Sequence, residues 1–301
     1  MKELFDQFDC VLTEAAVVER LRRNDAVELD EMLAHAPLVY SDEGKKALKS
    51  IYLEYINIAA SSHLPILIAS PTWRTNKERV QASGINSNVN IDAVQYLKQI
   101  VQHSPVNIPV KVGGLMGCKN DCYLPEEALS IDEAKEFHAW QIGQLAAGGA
   151  DFLMAVTLPS VAEATGIALA MEEAGLPYIL SFVVGSDGKI LDGTTIEDAL
   201  ETIDSITQIN PLGYFINCSY PSFVNASKLP RKVFDRLIGI QANASSLSHA
   251  ELDGSTELKS ESLSEWGDLM VQLNKEYGLK ALGGCCGTSG EHLQYLANKL
   301  S

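Results

Sequence analysis

Two cysteines stand side by side in Leu282-Gly283-Gly284-Cys285-Cys286-Gly287-Thr288, at the end of a short apolar run. Neighbouring cysteines reach disulfide geometry only under strain. They can both ligate one metal if the backbone turns sharply, and the glycines around them permit such a turn. Two thiolates need at least one more ligand to hold zinc. Cys218 is the best candidate, because it too follows directly on an apolar run, Gly213-Tyr214-Phe215-Ile216-Asn217. Three protein ligands leave a tetrahedral zinc one open position, the mark of a catalytic site. Three thiolates and Zn²⁺ sum to one net negative charge. Such a centre is poor at splitting water and well suited to holding a thiol as thiolate, the reactive nucleophile. Alkyl transfer to sulfur is the chemistry expected of it.

The elements that must bring these cysteines together are short apolar runs alternating with amphipathic stretches. Strands are expected at 9–12, 65–70, 108–112, 151–156, 177–184, 212–218, 237–242 and 279–284. They are rich in Val, Ile, Leu and Phe with little polar alternation, as buried parallel strands are. Helices are expected at 130–147, which opens with a Ser130/Glu133 capping box and closes at Gly148-Gly149, and at 160–174, 194–206 and 289–300. Eight strands, each followed by helical sequence, predict an α/β fold, a (β/α)8 TIM barrel forming a single domain over 1–301. A doubly wound open sheet is the rival, weakened because no Gly-x-Gly-x-x-Gly follows the first strand. In a barrel, strands six and eight are close and their C-terminal ends share one rim, so Cys218, Cys285 and Cys286 converge there. The least regular stretches, 73–90, 113–129 and 243–264, follow strands and belong to the same face.

Composition narrows the partners. Lys and Arg number 23 against 39 Asp and Glu, a net charge of −16, which disfavours nucleic acid and anionic membranes. No apolar run approaches the roughly 18 residues of a spanning helix. The acidic start, Met1-Lys2-Glu3-Leu4-Phe5-Asp6, lacks the apolar centre of a signal peptide, so a cytoplasmic protein is expected. Six cysteines in a chain this long read as metal-binding or catalytic rather than as a disulfide framework.

The Gly-Gly-Cys-Cys-Gly-Thr run and the upstream Ile216-Asn217-Cys218 resemble the homocysteine S-methyltransferase family over almost the whole chain. The resemblance implies a zinc-dependent barrel that binds homocysteine through the metal, with Cys218, Cys285 and Cys286 as the Zn²⁺ ligands and no catalytic side chain beyond the zinc centre. It implies a small-molecule thiol acceptor, a methyl donor, and a place in methionine biosynthesis. These residues account for the barrel alone, so a free onium donor of the S-methylmethionine or betaine type is expected. Two elements depart from the family. Its Asp-Gly after the first strand reads Thr13-Glu14 here, and its Phe-Glu-Thr after the fourth reads Ala155-Val156-Thr157. The glutamate that would hold the amino group of homocysteine is therefore Val156. A thiol other than homocysteine is an alternative acceptor. A zinc-binding barrel without methyltransferase activity, acting in binding or regulation, and a thiol redox protein are the competing classes.

Glu14, Trp73, Arg74, Asn217 and Asn243 are the candidate substrate-binding residues. Trp73 offers a cation–π face to an onium group, or merely packs on the rim. Glu14 offers a compensating charge, and Arg74 a bidentate hold on a carboxylate. His249 reads as loop packing, Cys118 and Cys122 as ordinary thiols, and Cys10 as core. Phe137, His138 and Trp140 fall within a helix and read as packing. Gly113-Gly114-Leu115-Met116-Gly117 lacks the Lys-Ser/Thr of a phosphate loop. Glu251, Asp253, Glu257 and Glu261 read as a solvated face.

Overall fold

Each of the eight apolar runs becomes a strand, six of them buried on both faces throughout, in the computed structural model, which describes residues 1–247 and 260–301. The strands are β1 Val11–Thr13, β2 Ile66–Ala69, β3 Val110–Met116, β4 Phe152–Leu158, β5 Tyr178–Phe182, β6 Gly213–Asn217, β7 Leu237–Ala242 and β8 Ala281–Gly284. They pair in parallel and in chain order, and β8 returns to β1 to close the barrel. The helices are α1 Lys2–Gln7, α2 Val18–Arg22, α3 Asp42–Ser61, α4 Lys77–Ser83, α5 Val89–Gln102, α6 Ile131–Ala147, α7 Val161–Glu173, α8 Ile196–Ile206, α9 Leu263–Tyr277 and α10 Gly290–Leu300. This is the predicted (β/α)8 topology. The α6 capping box forms as expected, with Glu133 accepting from both the amide and the hydroxyl of Ser130.

Four local expectations are corrected. β1 starts at Val11, so Cys10 precedes the strand, although it is buried in the core. β3 runs on to Met116, so Gly113-Gly114 are strand residues rather than loop. A helix, α4, forms inside 73–90, because the Asn76 side chain caps it by accepting from Arg79 N at 3.0 Å. Between β6 and β7 the chain makes no α-helix but three short 3₁₀ turns, Pro221–Val224, Ala226–Lys228 and Arg231–Asp235. Prolines 221 and 230 and the left-handed Asn225 (φ 49°) interrupt any longer helix there.

Alternate strand residues fill two layers. Val11, Leu67, Phe152, Met154, Val156, Ile179, Phe215 and Ala281 form the barrel interior, while Leu12, Ile66, Val112, Leu153, Leu180, Ile216 and Leu282 pack outward in the larger core. The interior closes around two aromatic rings. A β-carbon on Gly113 would lie 2.6 Å from the Phe152 ring, and one on Gly239 would lie 2.6 Å from Phe215. The glycines are what let those rings fill the barrel.

Glu14 lies at the end of β1, and its carboxylate accepts from Ala69 N at 2.8 Å, on the end of β2. The group is buried beside Tyr52 and Tyr55 of α3, and burial pushes its pKa up to about 8, against the lowering effect of the Ala69 bond. An acid with a raised folded pKa keeps its proton where the unfolded chain has already lost it, from about pH 4.5 to about 8. Folding stability therefore falls as pH rises through that window. Glu14→Gln keeps an acceptor for Ala69 and removes the charge. Urea unfolding should show the variant matching the parent at pH 5 and exceeding it at pH 9, by on the order of a few kcal/mol.

Candidate metal centre

The three cysteines take their positions from the end of one strand. Cys218 N donates to Gln241 O at 3.2 Å, and Cys285 N donates to Ala242 O at 2.8 Å. Cys286 N donates to Asn243 Oδ1 at 3.1 Å. Three consecutive residues at the end of β7 thus each hold one cysteine amide, with Cys218 arriving from β6 and the pair from β8. The three sulfurs lie within 4.8 Å of one another. Cys218 Sγ and Cys285 Sγ are 2.8 Å apart. Cys286 is exposed on the rim, and the other two are half-buried.

The turn carrying the pair is braced from below. Thr288 Oγ1 donates to Cys285 O at 2.6 Å and accepts from Ala16 N at 3.2 Å. Gly287 adopts a left-handed φ of 81°, and its amide donates to Glu19 Oε2. Glu19 in turn pairs with Arg23 at 2.6 Å. Gly283 leaves no room for a β-carbon, which would strike Thr13 Oγ1 and the Glu14 carbonyl.

Asn217 organises the other side. Its Oδ1 accepts from Thr157 N at 2.8 Å and Ser181 Oγ at 2.7 Å. Its Nδ2 donates to Thr157 Oγ1 at 3.0 Å and to Cys218 Sγ at 3.3 Å. Two of its partners are strained: Thr157 has φ 59° and Cys218 has φ 52°. A β-branched residue in that region is a genuine outlier, and such strain persists where surrounding bonds over-determine it.

Crowding separates the thiols electrostatically. Hydrogen bonds with Cys285 and Cys286, and then burial, hold the Cys218 thiol well above the ordinary range. For Cys285 the bond with Cys218 acts downward, but the bond with Cys286 and burial outweigh it. Hydrogen bonds from Cys218 and Cys285 pull Cys286 well below the ordinary range, aided by the Arg22 charge. Three thiolates this close together would repel one another without a cation between them. The Tyr123 phenol is pushed far up, first by the Cys218 charge and then by burial, Cys286, Cys122 and Cys285, which places it beside the cluster.

Of the other candidates from sequence, Asn217 and Asn243 touch the cysteines directly. Glu14 is bonded to β2 and Thr13 is buried against the Gly283 turn. Trp73 packs against the barrel interior, and its ring already carries the Arg74 guanidinium, 5.2 Å from its centroid. Val156 is an interior residue, buried at 6% exposure. Cys118 and Cys122 sit on the loop after β3, and burial pushes both thiols well above the ordinary range. His249 lies outside the described residues. His138 packs in α6 and also faces Glu163 at 2.9 Å, both side chains fully buried. A cavity of about 420 Å³ opens behind Gly287-Thr288, and no cysteine lines it. Sequence reasoning gave no role to Thr157, Ser181, Glu19 or Tyr123. Tyr123 had a signal, since it directly follows Cys122 in a stretch assigned to the active face.

A closed (β/α)8 barrel with three thiols gathered on its C-terminal rim defines a barrel protein with a candidate three-cysteine metal centre. The chain belongs to the homocysteine S-methyltransferase family, whose sequence profile matches residues 11–300. It is 30% identical over 181 residues to a homocysteine S-methyltransferase of Bacillus subtilis, covering 58% of this chain and 55% of that one. It is 22% identical over 306 residues to homocysteine S-methyltransferase 4 of Zea mays, covering 91% and 83%. The chain spans about half the length of several of the curated relatives it matches. Its fold is similar to that of the metallated homocysteine methyltransferase MmuM from Escherichia coli, with a TM-score of 0.75, 17% identity and 98% of each chain covered.

Replacing Asn217 with Ala strands the Thr157 amide and the Ser181 hydroxyl without their shared acceptor. The expected cost is about 2–4 kcal/mol, read by denaturant unfolding at pH 7. A loss below about 0.5 kcal/mol would show that the strained turn is held elsewhere.

Proposed function

We propose that this chain is a zinc-dependent S-methyltransferase, which moves a methyl group from a small onium donor to the sulfur of a small thiol. The observation that carries this reading is the set of three sulfurs within 4.8 Å of one another at the barrel mouth. Zinc–sulfur bonds of 2.3 Å in a tetrahedron need sulfurs about 3.8 Å apart. The spacing of Cys218, Cys285 and Cys286 fits that requirement to within roughly 1 Å, and three soft thiolates favour zinc over magnesium or calcium. When bound there, zinc would supply a site at which an incoming thiol is stabilised as thiolate.

The chain's own residues supply the rest. Asn217 donates to Cys218 Sγ, and Asn243 fixes the Cys286 amide, so two ligands are oriented by neighbouring groups. The interior cluster with Val156, Leu115 and Trp73 offers an apolar lining to the reactants. The thiol gives its proton to solvent and its sulfur attacks the methyl carbon in line. The carbon–heteroatom bond of the onium breaks, and its electron pair leaves with the donor. Positioning of the two reactants is the main lever available to such a site.

Homocysteine is the acceptor named for the relatives, and the donor class is of the S-methylmethionine or betaine type. A second reading, a thiol other than homocysteine, is favoured by Val156 in the interior wall. A net charge of −16 argues against nucleic acid as a partner. Among the described residues no helix is long and apolar enough to cross a membrane. Six free cysteines suit a reducing compartment such as the cytoplasm.

Metal analysis of purified protein should find about one equivalent of zinc, and Cys286→Ala should abolish it. Retention of full metal by that variant would refute the ligand set. Asn243→Ala, which only orients Cys286, should weaken zinc about 10–100-fold, read by chelator competition. Mass spectrometry of thiol and donor mixtures should find a methylated thioether. Its absence with every pairing, zinc being present, would favour the binding-protein alternative.

A further inference from the structure

Several carboxylates at the described part of the barrel mouth accept backbone amides. Glu14 accepts from Ala69 N, Glu19 from Gly287 N, and Asp121 from Tyr123 N. Glu163 accepts from Lys119 N and Leu129 N while facing His138, and Asp192 accepts from Val161 N and Thr194 N. From β4, the interior position next to the Asn217 network is Val156, part of one apolar cluster with Met154, Leu115 and Trp73. The Asn217 oxygen already accepts two hydrogen bonds. At this wall an acceptor's ammonium would meet apolar side chains and the occupied Asn217 oxygen, and leaving a buried charge uncompensated costs several kcal/mol.

Positive charge is arranged differently. Arg74 is half-buried and has no hydrogen bond or ion pair with a described residue. It lies over the Trp73 ring, 5.2 Å from the centroid, and the Trp73 ring sits against Gly117, just past β3. Its charge reaches Cys118 and Cys122, and Cys122 is within electrostatic reach of Cys286. A guanidinium beside an aromatic ring, with no hydrogen-bond partner among the described residues, suits bidentate capture of a carboxylate.

We propose that the acceptor is a mercaptocarboxylate without an ammonium group, its sulfur directed to the three cysteines and its carboxylate held by Arg74. This rests on the methyl-transfer reading of the same site. Betaine-type donors also carry a carboxylate, so the test must distinguish the two sources.

4-Mercaptobutanoate is homocysteine with the ammonium replaced by hydrogen. Titration calorimetry on the zinc-loaded full chain should find it binding at least about tenfold more tightly than homocysteine. Equal or tighter binding of homocysteine would overturn the proposal. Arg74→Gln should weaken 4-mercaptobutanoate by about tenfold or more and leave 4-mercaptobutan-1-ol within about twofold. If that variant instead weakens glycine betaine and spares 4-mercaptobutanoate, Arg74 serves the donor and the assignment fails. Val156→Glu, checked for a full equivalent of zinc, should shift the preference toward homocysteine by about tenfold; no shift would also count against the proposal. Because heat of binding needs no turnover, an enzyme that binds as expected but methylates nothing would refute the methyl-transfer reading and leave the acceptor preference standing.

Discussion

The last residues of β7 are the part on which the rest of the site depends. Backbone carbonyls at Gln241 and Ala242 and the side chain of Asn243 each receive one cysteine amide. Cys218 and Cys285 are 67 positions apart in sequence, and nothing local joins them. Barrel closure places β6 and β8 on either side of β7, and the ladder then sets their relative height. A slip of one residue on either side would turn alternate side chains from interior to exterior. The sulfur cluster is thus a consequence of strand register before it is a consequence of cysteine chemistry.

Around that strand, rigidity comes from two kinds of fit. The interior is filled by aromatic rings facing glycines, so the floor beneath the thiols has little freedom to collapse. The rim loops are tied by carboxylates accepting backbone amides, including a fully buried Glu163 that holds the loop carrying Cys118, Cys122 and Tyr123. Charge-assisted bonds of this sort are stronger than neutral ones. They stiffen the mouth around the cysteines.

All eight strands were legible in the sequence, because a strand buried on both faces leaves an unbroken apolar run. Their ends were less so. β3 continued through Gly113-Gly114, since the glycines make room for Phe152 rather than for a turn, and that need is invisible until the opposing ring is placed. The helix-free passage from β6 to β7 is written in its prolines, although the regular alternation elsewhere predicts a helix there. The cysteine set was legible from strand ends alone. Thr157 and Ser181 were not, because nothing in Ala155-Val156-Thr157 or Leu180-Ser181-Phe182 announces that both will converge on one asparagine from different strands. Its position after β1 points to a rim charge at Glu14, whereas the carboxylate is buried against the end of β2. Which face of the strand end it occupies depends on a one-residue alternation whose phase the short β1 does not reveal.

The backbone at Cys218 carries a further implication. Its φ of 52° lies where residues with a β-carbon pay about 1–2 kcal/mol and glycine does not. For thermostability alone, glycine or asparagine would serve that corner better. A search for stabilising substitutions would accordingly rank this cysteine among the first to discard, and in doing so would dismantle the cluster while raising the melting temperature. Stability and metal-binding capacity thus pull in opposite directions at a single torsion angle, and screens that score only the first will be blind to what they remove.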